Sequence, residues 1–247
     1  MLPWLLPDSP FPPTEQALDD PNGLLAAGGG LSPDRLIDAY RRGIFPWYNG
    51  DDGDPILWWT PSPRCISTPE KLHISRSLRR HIAANPLYVT LDQHFDTVMA
   101  LCAAPRRAHE GTWISDDMRC AYQQLHTLNV AHSIEIWHGP PENNDLAGAL
   151  YGLQLGQVFF GESMASPHSN GSKTALAVIK MLARRLGIAL IDGQVSSPHL
   201  HRMGFELCPR QEFEQALSAL IPGHTIDMPR PPWPRFALPV RDLISTF

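Results

Sequence analysis

The chain has 247 residues, 43% hydrophobic and 18% charged, with a formal net charge of −5. This composition suits a soluble globular protein of one large or two unequal domains, and the negative balance argues against indiscriminate nucleic-acid binding. No apolar run reaches the roughly 18 residues of a membrane span. Met1 to Pro13 is short, proline-broken and without a basic start, unlike a signal peptide.

Residues 1 to 31 read as loop, with turn signals at Pro7-Asp8, Pro21-Asn22-Gly23 and Gly28-Gly29-Gly30. The glycine run lacks the Lys-Ser/Thr of a P-loop and the full dinucleotide fingerprint. Ser32-Pro33 starts a helix as cap plus first-turn proline, and Gly43 stops it. Trp47, Tyr48, Trp58 and Trp59 then fall in a loop-rich stretch. Trp58 and Trp59 are expected in the core, and Trp47, just past a proline, in a pocket wall. Pro61-Ser62-Pro63 reads as a hinge, dividing the chain into a small unit, 1–62, and a larger one, 63–247.

Past the hinge, 64–68 reads as a strand and 73–84 as a helix with Arg76 and Arg80 on one face and no acids between them. That pattern admits a phosphate-facing patch, to which Arg106 and Arg107 add charge. A strand is expected over 87–91 and a helix over 93–102. After Gly111-Thr112-Trp113-Ile114 a further helix starts at Ser115. Strands over 132–137, 146–155 and 158–163 form an antiparallel meander.

The meander ends in the most informative stretch, 158 to 194. Val158-Phe159-Phe160-Gly161 is an apolar strand closing on Glu162-Ser163. Ala175, Val178, Ile179, Leu182 and Leu186 recur at helical spacing, and Gly187 stops that helix. Ile188 to Ile191 is a second buried-type strand, closing on Asp192-Gly193-Gln194. Two such strands in one sheet bring Glu162, Asp192 and Gln194 together at a sheet end, where open α/β sheets hold ligands. The bland alternative makes Asp192 the cap of a helix starting near Ser197. Short helices follow around His199 and over 210–220, and the proline-rich tail 229–239 is expected to lie extended on the surface.

Four cysteines without a Cys-x-x-Cys suggest neither a zinc site nor a disulfide framework, so a reducing cytoplasmic setting is expected. Among eleven histidines only His199 and His201 stand close, on different helix faces, so no metal site is expected.

Several segments resemble the bacterial leucyl/phenylalanyl-tRNA–protein transferases, in order from about residue 20 to 210. They include Pro21-Asn22-Gly23-Leu24-Leu25-Ala26, Gly43-Ile44-Phe45-Pro46-Trp47, Ile56-Leu57-Trp58-Trp59, Leu72-His73-Ile74-Ser75-Arg76-Ser77 and Gly111-Thr112-Trp113-Ile114. Ala131-His132-Ser133-Ile134-Glu135, Gly161-Glu162-Ser163-Met164, Ser172-Lys173-Thr174-Ala175-Leu176 and Leu190-Ile191-Asp192 continue the series. The resemblance implies an α/β (α+β) fold with a small N-terminal domain and a larger acetyltransferase-like domain whose mixed sheet is mainly antiparallel. It implies transfer of leucine or phenylalanine from aminoacyl-tRNA to a protein beginning with arginine or lysine, marking that protein for degradation by the N-degron pathway. By position it assigns Trp47, Trp113, Leu150, Phe159, Gly161 and Ile179 to the aminoacyl-adenosine end. It assigns Glu162, Asp192 and Gln194 to peptide binding and catalysis, and Arg76 and Arg80 to tRNA.

The implied reaction is aminolysis of an ester. The donor is already activated, so no cofactor or metal is expected; the site must supply placement and an uncharged amine. A free α-amine titrates near 7.7–8.0, so a modest push from a carboxylate such as Asp192 suffices, with Gln194 holding the amine. The nearest alternative is an acyl-coenzyme A N-acyltransferase, which needs a pyrophosphate loop of the form Arg/Gln-x-x-Gly-x-Gly/Ala ahead of a helix. The match, Arg184-x-x-Gly187-x-Ala189, instead leaves a helix and enters a strand, the wrong polarity for phosphate. A non-catalytic tRNA-binding module would explain Arg76 and Arg80 but leaves the strand-end carboxylates without a purpose.

Overall fold

A computed structural model describes residues 1–48, 54–104, 114–223 and 232–244. Its elements in chain order are β1 (Trp4–Leu5), β2 (Leu24–Gly28), α1 (Pro33–Arg41), β3 (Phe45–Pro46), β4 (Leu57–Trp59), β5 (Arg64–Ser67), α2 (Arg76–Ala84), β6 (Leu87–Leu91), α3 (Phe95–Ala103) and α4 (Asp116–Thr127). They continue with β7 (Ala131–His138), β8 (Leu146–Leu155), β9 (Val158–Ala165), α5 (Gly171–Leu186), β10 (Leu190–Asp192), α6 (Pro198–Arg202), β11 (Glu206–Cys208), α7 (Arg210–Leu220), β12 (Ala237–Pro239) and α8 (Val240–Ile244).

Two sheets form. The smaller runs β1-β2-β4-β3, and the larger runs β11-β5-β10-β9-β8-β7-β6-β12. The larger is mainly antiparallel, and α5 carries the chain from β9 to the parallel neighbour β10, pairing Ile191 with Phe159 and Asp192 with Phe160. Strand alternation sends Phe160 into one core layer, with residues of α1, α3, α4, α7 and the small sheet. Phe159 enters the opposite layer, against α2, α5, α6 and α8.

The meander, its crossover helix and the strand after it match the sequence reading. Two expectations for the ends of the chain do not. Residues 1–31 contain β1 and β2, and β2 is buried at every position because it lies between β1 and β4. The turn residues around Leu24 to Gly28 concealed a short strand of small and apolar side chains. The tail, too, does more than lie on the surface: Trp233 is buried and β12 pairs with β6, covering a sheet edge. Asp192 caps no helix; the Ser197 hydroxyl accepts from Leu200 N at the start of α6. Arg106, Arg107 and Trp113 lie outside the described residues.

Candidate active site

Strand β10 stops at Asp192 opposite Phe160, whereas β9 runs on to Ala165 paired only with β8. Tyr151 faces Ser163 and Gly152 faces Gly161, so Glu162 is the extra residue of a β-bulge. A bulge re-aims a side chain without ending the strand. Beyond the end of β10 opens a cavity of about 1030 Å³ bordered by Trp47, Leu150, Phe159, Gly161, Glu162, Leu176, Ile191, Asp192, Gln194 and others.

Glu162 is gripped from two sides. Tyr122 Oη donates to its Oε2 at 2.9 Å, and Gln194 Nε2 donates to its Oε1 at 2.8 Å. Tyr40 and Tyr122 share a hydroxyl–hydroxyl bond of 2.5 Å behind that contact. Burial raises the Glu162 carboxyl to about 7; the tyrosine hydrogen bonds oppose the rise, the Asp192 charge adds to it and the Arg64 charge offsets part of it. Burial and the Glu162 charge hold both tyrosines well above the ordinary phenol range, so they stay neutral donors. A partly buried carboxylate at the edge of a cavity, poised near neutrality, is suited to accept and return a proton.

Asp192 is placed differently. It borders the cavity, but its side chain is fully buried and both oxygens are engaged by Arg64, Nε to Oδ1 at 2.9 Å and Nη2 to Oδ2 at 2.7 Å. Oδ1 also accepts from Gln194 N at 2.8 Å. Gln194 has a left-handed backbone, φ 59°, pinned further where its carbonyl accepts from Cys65 N. Bonded in this way, Asp192 shapes the turn that carries Gln194.

Of the residues assigned to the aminoacyl end, Trp47, Leu150, Phe159 and Gly161 border the cavity. Trp47 is 44% exposed and tilts against Trp59, whose indole N–H donates to the Trp47 carbonyl. Ile179 is fully buried in the layer that holds Leu150 and Phe159 and does not border the cavity; Leu176, a turn earlier on α5, does. Arg76 and Arg80 are exposed on α2, away from the cavity walls. Sequence spacing missed Tyr40, Tyr122 and Arg64, since each is a long-range partner on another element. Leu176 and Ile191 carried a signal, being the apolar positions next to those already singled out.

Two family models match the chain. Residues 66–218 match the leucyl/phenylalanyl-tRNA protein transferase family, and residues 29–62 match its N-terminal domain. A leucyl/phenylalanyl-tRNA–protein transferase of Alcanivorax borkumensis is 56% identical over 223 residues, 90% of each chain. The chain belongs to this family. Transferases of the same name from Nitrosospira multiformis and Pseudomonas putida are 49% and 50% identical, covering 90% and 88% of this chain and 93% and 94% of theirs. Among solved structures, FemX aligns over 74% of this chain and 70% of its own, with 12% identity and a TM-score of 0.47. The cavity places an apolar recess beside a carboxyl raised to about 7.

Proposed function

We propose that the chain moves leucine or phenylalanine from aminoacyl-tRNA to the N-terminal arginine or lysine of a protein, with Glu162 as the proton acceptor. The observation that carries the reading is the Glu162 carboxyl, raised to about 7 and bordering an apolar recess, in a chain of this family. The donor side chain enters the recess walled by Leu150, Phe159, Leu176 and Ile191. The terminal adenine packs against Trp47, for which an exposed indole is suited.

The acceptor α-amine attacks the ester carbonyl; a C–N bond forms as the C–O bond to the ribose breaks. Glu162 takes the amine proton and returns it to the departing ribose oxygen. Gln194 uses one amide N–H on Glu162, leaving its second N–H and its carbonyl oxygen to orient the amine. The open flank of β9 beyond Gly161 offers backbone groups to an extended acceptor peptide, which leaves most of its sequence unread. Asp192 acts as an orienting group, since Arg64 engages both its oxygens.

The phosphate backbone of tRNA falls to Arg76 and Arg80. Residues 1–62 and 63–247 are read as the two units, the product as an N-degron substrate and the setting as the cytoplasm. An acyl-coenzyme A reading is disfavoured because Gly187 is the left-handed C-cap of α5, so the pyrophosphate-like motif meets the negative end of a helix. Incubation with radiolabelled leucyl-tRNA and a protein beginning with arginine tests the proposal. Label in the protein is expected. An unlabelled acceptor, with acetyl-coenzyme A labelling it instead, refutes the proposal.

A further inference from the structure

We infer that Arg64 is a positioning residue for the transfer reaction, one guanidinium that fixes Asp192 and, through it, the Gln194 amide that meets Glu162. The inference rests on the role given to Glu162 above. Arg64 is fully buried and does not border the cavity, so it acts through other groups. Its planar head lies over the rings of Phe45 and Phe213, 4.8 Å from each centroid. All three guanidinium nitrogens are used: Nε and Nη2 fork onto Asp192, and Nη1 donates to the Gly43 carbonyl at 2.9 Å. Gly43 lies two residues before Phe45, which with Pro46 and Trp47 borders the cavity. A single side chain therefore ties the aromatic wall to the Asp192–Gln194 turn.

A buried ion pair is poor evidence of stabilisation, because well-packed apolar groups of similar volume often serve as well. Its geometric consequence is more specific. Gln194 is a non-glycine residue in the left-handed region, which persists only where the surroundings over-determine it. Asp192 Oδ1 holds its N–H, Cys65 holds its carbonyl and Glu162 receives its side-chain amide. The Arg64 fork sets the carboxylate plane from which this chain of contacts starts. Lysine offers a point charge without the fork.

Arg64→Lys tests the inference, with rates expressed per site titrated by a non-reactive aminoacyl-adenosine analogue, so that loss of folded protein does not count as loss of turnover. The expected result is a fall in kcat of about 10–100-fold, the size of an ångström-scale misplacement, with KM for both substrates changed less than about threefold. Adding Arg64→Lys to Asp192→Asn should cost far less than the product of the separate effects, because the pair is already broken. If Arg64→Lys fails to fold, Phe213→Leu, which removes one of the two rings under the guanidinium, should show the same signature at smaller size. Parent-like kcat per titrated site in the variant that folds, or full multiplicativity with Asp192→Asn, overturns the inference. A parent protein that transfers nothing defeats the proposed function instead, a distinguishable result.

Discussion

Glu162 and Glu135 are two carboxylic acids on the same sheet, one on β9 and one on β7, and burial raises each to about 7. Their surroundings otherwise differ. Glu135 is fully buried, with Ser133 and Thr90 hydroxyls donating to its two oxygens and Trp137 donating in turn to Thr90. Glu162 sits on a bulge at a cavity edge, and one of its partners, Gln194, also borders that cavity. A perturbed acid marks a functional site only where a reactant can reach it. Access separates the two.

The largest expected effect falls on turnover. Glu162→Gln should lower kcat by about 10²–10⁴-fold while leaving donor binding nearly intact, and Glu135→Gln should stay within about twofold of the parent. Single-turnover rates with leucyl-tRNA measure both. Comparable losses in the two variants would erase the distinction between the open and the sealed acid.

Next in size is the exposed aromatic side chain bordering the cavity beside Glu162. Trp47→Ala should raise KM for the donor about tenfold with a smaller change in kcat, as expected for a lost base–aromatic stack. An unchanged KM would remove Trp47 from the donor end and leave it only its contact with Trp59.

Glu135 in turn predicts a pH effect on stability. Its folded pKa lies above its ordinary value of 4.5. Between that value and about 7 the folded state keeps a proton that the unfolded state has lost, so stability falls as pH rises through this window. Glu135→Gln lacks this loss. In urea unfolding it should gain on the parent between about pH 5 and pH 8, by at most about 3 kcal/mol. A constant difference across that range would mean that Glu135 is charged in the fold throughout. The smallest expected effect belongs to Arg76→Ala and Arg80→Ala, on the exposed face of α2. Each should weaken different tRNAs about equally and reduce the salt slope by roughly one unit; an unchanged slope would place the tRNA elsewhere.

The sequence disclosed the fold wherever the pattern was long and periodic. The meander and α5 follow from alternation and helical spacing, and Gly187 ends α5 with φ 67°. Short or flanking elements escaped: β2 is five residues among turn signals, and β12 is three residues in a proline-rich tail. The site was legible in part for the same reason. Strand periodicity put Glu162 and Asp192 at neighbouring strand ends, but how each carboxylate is held depends on a bulge and on Arg64, 128 positions from its partner. Nor does spacing distinguish Glu162 from Glu135, since both interrupt apolar strands. Tyr40 and Tyr122 are core residues of α1 and α4, and only the fold brings their hydroxyls to Glu162.

The pH profile of kcat in the parent, Glu162→Gln and Asp192→Asn tests most directly which carboxylate takes the proton. With Glu162 as acceptor, the parent profile rises with a midpoint near 7. Asp192→Asn keeps a rising profile at a lower plateau with its midpoint shifted down, because the Asp192 charge that adds to the rise is gone and the Arg64 charge that opposes it remains. In Glu162→Gln the midpoint moves up to the range of the amine itself, about 7.7–8.0, with the residual rate recovering in alkali. The contrary result is a midpoint near 7 that survives Glu162→Gln and disappears in Asp192→Asn, which would make Asp192 the proton acceptor and Glu162 a substrate-holding group.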